Sequence, residues 1–327
     1  MSGPISRRTW RRLPIVIAVA VVTVSVSFLA DTPRSSAARS GRLIVLAGDI
    51  ACAPDDPDFN HFHGTPGHCH MRATAQLVRG LHPFAVLAVG DEQYDSGSLS
   101  DFRASYAKTW GAFKRITHPV VGNHEYGTRG AAGYFHYFGA RAKRRGSRCH
   151  SYCHGYYSFH IGTWHIVAIN TECTQINHGA GCAVGSPQYN WLKADLARHR
   201  NRCTLVFGHR PRWSSNSLAS ADIAPLIRVM YKAHVHIYVS GHSHAFEIFR
   251  RQSPAGKWQP KRGIKQMVIG TGGSHYTGFG EIRRHSLVHK GDIFGVMALR
   301  LYPGGWRYRF VSIRSTPFHY SGHGVCH

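Results

Sequence analysis

The chain carries the segment GHSHAFE, residues 241–247, directly after the apolar run VHIYVS. It sets two imidazoles, His242 and His244, one residue apart. At an extended strand end alternate side chains project to one side, so the pair can face a metal ion beyond the strand. The chain has 25 His, and H-x-H pairs also arise by chance, as in HFH at 61–63 and HVH at 234–236. Donors elsewhere must decide between a ligand pair and a coincidence. Asp49 in GDIA, Asp91 and Tyr94 in GDEQY, Asn123 and His124 in GNHEY, and His209 in FGHRP each follow an apolar run. Asp and Asn end strands routinely as turn residues, but five strand ends in a row with such donors are poorly explained as turns. Arg210 and Arg212 come directly after His209. Guanidinium forks match the geometry of phosphate oxygens, although both residues also fit plain surface charge.

Such donors need a scaffold that gathers distant strand ends. RLIVLAGD (42–49) and FAVLAVGD (84–91) read as buried strands that run into loops at Gly-Asp. Between them HMRATAQLVRGLH has helical spacing, which predicts a β-α-β unit over residues 42–91 with carboxylates at the carboxyl ends of its strands. Open α/β sheets place their chemistry there. Downstream, LSDFRASYAKTWGAF predicts a helix, HPVVGNHEY a short strand and loop, and YYSFHIGTWHIVAIN a hairpin around Gly162-Thr163. SPQYNWLKADLARH has a helix-start signal, CTLVFGH is strand-like, and ASADIAPLIRVMYKA predicts a helix before the GHSH strand. The tail runs KQMVIGT, FGVMALRL and WRYRFVSI suggest a second sheet that closes the fold, while ARAKRRGSRCH (140–150) reads as a basic loop. No repeat or long linker appears, so the expectation is one domain over residues 39–327.

In this order GD, GDxxY, GNHE, GH and GHxHAxE resemble the motif set of calcineurin-like metallophosphoesterases, specifically the purple acid phosphatase-like branch of secreted bacterial type. The stretches AAGYFHYFG, GYYSFHIGTWHIVAINTEC, SPQYNWLKADL and VIGTGGSHYTGFG are similar to the same proteins, so the resemblance covers most of the chain from about residue 43. It implies an α/β fold, a four-layer αββα sandwich of two mixed β-sheets flanked by helices. It also implies a two-metal site. Asp91 would bridge both ions, its two oxygens serving one each; Asp49, Tyr94 and His244 would complete the first set, and Asn123, His209 and His242 the second. Phenolate and carboxylates suit Fe(III), while amide oxygen with two imidazoles suits divalent Zn, Fe or Mn. A metal-bound hydroxide would attack the phosphorus of a phosphomonoester. His124 would bind phosphate and protonate the leaving oxygen, with orientation of Asn123 as its alternative role. Arg210 and Arg212 would hold substrate oxygens. Two departures stand out: Ala51 replaces a histidine common in the wider superfamily, which fits the branch that uses Tyr94, and Arg210 stands where many relatives have a second histidine. Phe246, where tyrosine is common, carries little weight, and Glu247 reads as structural.

At 327 residues and 43% hydrophobic content the chain can bury a large core, which excludes a wholly disordered protein. The opening SRRTWRRLPIVIAVAVVTVSVSFLADTPRSSAA has four arginines ahead of an apolar run from Leu13 to Ala30, and then small residues, the layout of an export signal. Ser6-Arg7-Arg8 resembles a twin-arginine signal. Residues 1–38 are therefore read as a signal of Sec or Tat type with a short linker, a retained membrane anchor being the alternative. Secretion follows from the first reading. Eight cysteines in an exported chain suggest up to four disulfides. Their clustering suggests Cys52–Cys69, Cys149–Cys153, Cys173–Cys182 and Cys203–Cys326, one of 105 possible connectivities.

Net charge is +24; residues 1–37 hold five of the 40 Lys/Arg and one of the 16 Asp/Glu, which leaves +20 on the remainder. Such a surface concentrates phosphate-bearing molecules and binds anionic polymers weakly. The expected partner is a phosphate-ester substrate, with no specific nucleic acid and no obligate protein partner. Two alternatives use the same residues differently: a phosphodiesterase or nucleotidase, and a non-catalytic basic binder of anionic cell-surface polymers.

Overall fold

Strands that are apolar on both faces need cover on both sides, and this requirement generates the layers seen here. The computed structural model describes residues 41–143, 154–199 and 203–326, with Met1 and Gly3. Residues Ala37–His327 form one compact unit. Apart from Met1 and Gly3, the segment 1–38 that was expected to be an export signal lies outside the described residues, as do the Cys149–Cys153 pair and most of the basic loop at 140–150. Among the described residues no helix is long and apolar enough to cross a membrane.

The chain runs β1 (Arg42–Ala47), α1 (Met71–Leu81), β2 (Ala85–Ala88), α2 (Leu99–Ala104), β3 (Thr117–Pro119), α3 (Ala132–Phe138), β4 (Tyr157–Ile161), β5 (Trp164–Ala168), α4 (Pro187–Arg198), β6 (Cys203–Phe207) and α5 (Ala224–Lys232). It continues through β7 (Ile237–Ser240), β8 (Phe246–Phe249), β9 (Lys265–Ile269), β10 (Ser286–Lys290), β11 (Gly295–Tyr302), β12 (Gly305–Ser312) and β13 (His319–Val325). Two mixed sheets result, ordered β13-β12-β11-β1-β2-β3 and β10-β8-β9-β7-β6-β5-β4. Inward residues Ile44, Leu46, Leu87, Leu205, Phe207, Val239 and Met267 fill the space between the sheets. The other faces are covered by helices. Val45 and Val86 pack with Met71, Val78 and Trp110, while Val167, Val206 and Tyr238 pack with Leu192, Leu226 and Met230. The four-layer sandwich is therefore observed. Each such apolar side chain, when fully buried, stabilises by about 1.5–3 kcal/mol, and Leu205→Ala at the central layer would cost about 2–5 kcal/mol.

The predicted β-α-β unit forms, with β1 and β2 parallel in the register Ile44↔Ala85. The helix start before α4 is a Ser186 cap whose hydroxyl accepts the Tyr189 N–H, followed by Pro187 at the first helical turn. Two expectations need correction. The helix over LSDFRASYAKTWGAF stops at Ala104 and gives way to 3-10 turns at Tyr106–Lys108 and Trp110–Ile116. Tertiary bonds pull the chain out of register there: the Ser105 hydroxyl donates to Cys52 O at 2.7 Å and the Tyr106 amide to Gln93 Oε1 at 3.0 Å. The tail also does not build a sheet of its own. β9 inserts between β7 and β8, whereas β11 pairs with β1 and extends the first sheet through β12 and β13. Three of the expected disulfides are present, Cys52–Cys69, Cys173–Cys182 and Cys203–Cys326.

Candidate metal centre

β1, β2 and β3 are parallel in one sheet and β5, β6, β7 and β9 in the other, and backbone bonds from Gly48 N to Ile269 O and Gly272 N to Gly48 O join the ends of the two sheets. The strand-end residues therefore meet at one rim. Asp49, Asp91 and His242 each hold a left-handed backbone, with φ of 59°, 49° and 66°. Such conformations are uncommon for these residue types and concentrate where function fixes a side-chain direction. The turn at His242 also breaks the extended run, so His242 and His244 part company instead of pointing together.

Backbone crowding imposes glycine beside them. A Cβ on Gly90, whose φ is +91°, would lie 2.5 Å from His209 Nδ1, and one on Gly241 would lie 2.5 Å from Asp49 Oδ2.

Asp91 stands at the middle, almost fully buried. Its Oδ1 accepts the His124 amide at 2.9 Å, so Oδ2 is the oxygen that faces both sides. Oδ2 lies 3.3 Å from the Tyr94 hydroxyl and 3.1 Å from His209 Nε2. On the Tyr94 side, the hydroxyl is 3.1 Å from Asp49 Oδ1 and 2.9 Å from His244 Nε2, which is itself 3.1 Å from Asp49 Oδ1. On the other side, His209 Nε2 is 3.2 Å from Asn123 Oδ1, and the His209 and His242 rings are 4.9 Å apart. The ligand atoms of Asp49, Asp91 and His244 form one compact group, and those of Asp91, His209 and His242 a second, each within 4.8 Å.

These residues fit a pair of cations. Ligand bonds of about 2.0–2.2 Å place neighbouring donor atoms about 3.0–3.4 Å apart, the spacing found here. The electrostatics agree. His209 Nδ1 lies 3.0 Å from Val89 O, a carbonyl that can only accept, so the ring donates there and directs Nε2 at two oxygen acceptors. Burial alone would lower the His209 pKa, yet the Asp91 charge and hydrogen bond, with Asp49 and Glu172, push it up to about 10. The pocket thus demands positive charge, which a protonated His209 supplies in the metal-free chain. Burial likewise drives the Tyr94 pKa well above its ordinary value, aided by Asp49 and Asp91, so only a cation in contact would free its phenolate. Burial lowers the His242 pKa to about 3, with the neighbouring His209 and Arg210 charges adding to it.

His124 has its Nδ1 2.6 Å from Asp95 O, so Nδ1 carries the proton and Nε2 looks toward the centre, 4.0 Å from Asp91 Oδ2. Its side chain keeps 32% exposure, the opening through which a substrate would come. Arg210 is clamped by Glu172, with Nε at 3.0 and 2.9 Å from the two carboxylate oxygens, and its Nη1 reaches His242 Nε2 at 2.9 Å. Arg212 does not join this group. Its Nη1 reaches toward Ser220 O at 3.4 Å, and it lines a separate cavity with Trp213, Gln252, Arg283 and Arg284.

Several residues here were not singled out from sequence. Buried Glu125 accepts the amides of Gly122, Asp91 and Gln93 at 2.8, 3.1 and 3.1 Å and so locks the GNHE loop onto the GDEQ loop. The Thr171 hydroxyl accepts the amides of His209 and Arg210 at 3.0 and 2.8 Å. His275 packs 4.1 Å from the His244 ring. Thr171 and Glu172 follow β5, and His275 follows β9, so the strand-end signal that pointed to the other residues applied to them as well. The cluster of Cys52, Cys69 and Asp56 is no rival, because its sulfurs are joined in a disulfide.

A family model for calcineurin-like phosphoesterases matches residues 42–246, a span that contains all seven donors. Among characterised sequences, the chain is 31% identical over 126 residues to purple acid phosphatase 18 of Arabidopsis thaliana, covering 36% of this chain and 27% of that protein. It is 28% identical over 189 residues to purple acid phosphatase 22 of the same plant, covering 50% and 41%. The chain thus matches less than half the length of these relatives. The solved structure of purple acid phosphatase PPD1 from yellow lupin seeds shares the fold, with a TM-score of 0.67 at 18% identity over 87% of this chain and 53% of that one.

Proposed function

The chain belongs to the calcineurin-like phosphoesterase family, and on that premise we propose that it is a secreted phosphatase that hydrolyses phosphomonoesters with two metal ions, Fe(III) and a divalent Zn, Fe or Mn. The observation that carries this reading is the convergence of Asp49, Tyr94 and His244 on one side of Asp91 Oδ2, and of Asn123, His209 and His242 on the other. When bound, such ions supply Lewis acidity toward phosphoryl oxygens and make water a competent nucleophile near neutral pH. The chain's residues do the rest. Tyr94 and Asp49 give the first position its hard, anionic character, and Asn123 with two imidazoles keeps the second position softer and less charged. Asp91, which belongs to both groups, would be shared between the two ions. His124 is suited to pass a proton at Nε2 to the departing alkoxide, because its Nδ1 proton is committed to Asp95 O. Arg210, pinned by Glu172, would orient the phosphate.

The test is hydrolysis of p-nitrophenyl phosphate by the purified chain together with its metal content. The reading expects turnover that disappears in Asn123→Ala and His242→Ala while circular dichroism stays unchanged. A folded chain that binds polyphosphate through its +20 surface, with no turnover and no effect of either substitution, would instead identify a non-catalytic binder.

A further inference from the structure

A second group of histidines lies on the helix-covered face of the second sheet, far from the rim. β4 and β5 form a hairpin in which His160 and His165 are directly opposite one another, so both side chains stand on the same face. Across that face runs α4, which presents Asp195 and His199 one helical turn apart. His165 Nε2 lies 2.7 Å from Asp195 Oδ2, and His199 Nδ1, which donates to the Asp195 carbonyl at 3.0 Å, lies 3.3 Å from Asp195 Oδ1 and leaves Nε2 of that ring free of this bond. One ligand atom from each of His165, Asp195 and His199 falls within 4.8 Å of the others. The three rings close on each other: His160 to His165 is 5.0 Å, His160 to His199 is 5.4 Å, and His165 to His199 is 4.6 Å between centroids.

That spacing has a chemical meaning. Imidazoles bound to one zinc-like ion, with nitrogen–metal bonds of about 2.0–2.1 Å, have ring centres about 5 Å apart in a tetrahedral arrangement. Two imidazoles and one carboxylate have donor atoms within reach of one ion, and the His160 ring, 5.0 and 5.4 Å from the other two, stands beside them as a fourth donor. The carboxylate is already held: Ser158 Oγ donates to Asp195 Oδ1 at 2.8 Å, the kind of outer contact that fixes a ligating oxygen. His165 Nδ1 is buried without a hydrogen-bond partner in this structure, and Nε2 donates to Asp195 Oδ2, a proton that an incoming ion would displace to solvent. His165 and Asp195 are buried, whereas His199 retains 35% side-chain exposure and His160 is exposed, which gives an ion a way in.

We propose that His160, His165, Asp195 and His199 form a structural site for a single zinc-class divalent ion, separate from the phosphatase centre. His165 sits six residues before Thr171 at that centre, about 20 Å of extended chain. An ion there would pin α4 to the edge hairpin β4–β5.

The experiment uses the full chain, stripped with chelator, saturated with Zn(II), and passed through gel filtration before metal counting. The readout is the difference between wild type and His199→Ala, expected to be one ion per chain, with p-nitrophenyl phosphate turnover equal in both. His160→Ala, at an exposed position, is expected to weaken the same ion without loss of fold. Because the readout is a difference, it holds whether or not the phosphatase centre loads. Equal zinc content in wild type, His199→Ala and His160→Ala would overturn the proposal and leave the His165–Asp195 pair as an ordinary polar fastening between helix and strand.

Discussion

Arg210 Nη1 donates to His242 Nε2 at 2.9 Å, while the same guanidinium is gripped by Glu172. A neutral imidazole has one lone pair, and in this structure Arg210 occupies it. The pair can serve Arg210 or a metal ion, not both. An ion held by His242 Nε2 would therefore displace the guanidinium from that nitrogen and free it for a phosphate. Arg210→Gln should bind the second ion at least as tightly as wild type and lose about 10–100-fold in kcat/KM, the loss expected when a charged hydrogen bond to phosphate is removed. Metal titration alongside steady-state kinetics separates the two effects.

Tyr94 is the donor that would give an iron site its colour. A chain loaded with Fe(III) should absorb in the visible through the phenolate, and Tyr94→Phe should be colourless while it keeps its fold. A two-zinc site would show no band in either protein, so one spectrum of wild type tells whether Fe(III) is bound to the phenolate.

His124 acts on the leaving group in the proposed reaction. His124→Gln should cut kcat by about 10²–10⁴-fold for alkyl phosphates, whose leaving oxygen needs a proton. For p-nitrophenyl phosphate the loss should be much smaller, since that phenolate departs unaided. Equal losses for both substrates would point instead to a role in positioning Asn123.

Stability should depend on pH through His118, away from the metal centre. Its ring stacks on Phe159 at 3.8 Å, and burial, with the nearby Arg141 charge, lowers its pKa to about 4. As pH falls below the ordinary value of 6.5, the unfolded chain takes up this proton before the folded one does. The stabilisation is therefore complete above pH 6.5 and is lost progressively toward pH 4, on the order of 1–3 kcal/mol. Urea melts of wild type and His118→Phe across that range should show a shallower pH slope in the variant.

Cys203–Cys326 closes a separation of 123 residues and ties the chain's last strand to the start of β6. Cys326→Ser should lower stability by about 2–5 kcal/mol, read as a fall in thermal midpoint, with phosphatase turnover at 25 °C retained because the bridge lies at the strand ends opposite the rim.

Much of this centre was legible in the sequence because a parallel strand announces itself twice, by a buried apolar run and by the polar residue just past it. Asp49, Asp91, Asn123, His209 and His242 all carry that double mark. Glu125 and Arg212 were harder for opposite reasons. Glu125 acts by accepting three amides from loops far apart in the chain, a role that spacing does not reveal. Arg212 has the right side chain and the right neighbours in sequence, yet Pro211 separates it from Arg210, and its amide is held by Gln266 Oε1 at 3.0 Å on the outer side of the sheet. The layers were legible from strand periodicity, but the allocation of the tail between the sheets was not. β9 and β11 are both apolar on two faces, and nothing in their residues says which sheet each will enter.

That allocation governs how the protein can be made. β1 lies between β2 and β11, with Arg42 opposite Leu301, so a strand from the beginning of the chain waits for one near its end. Pairing across such a separation is slow to form, and until it does the apolar edge of β1 is open to any other extended segment. A chain cut short before residue 295 would lack β11 and leave that edge of β1 uncovered.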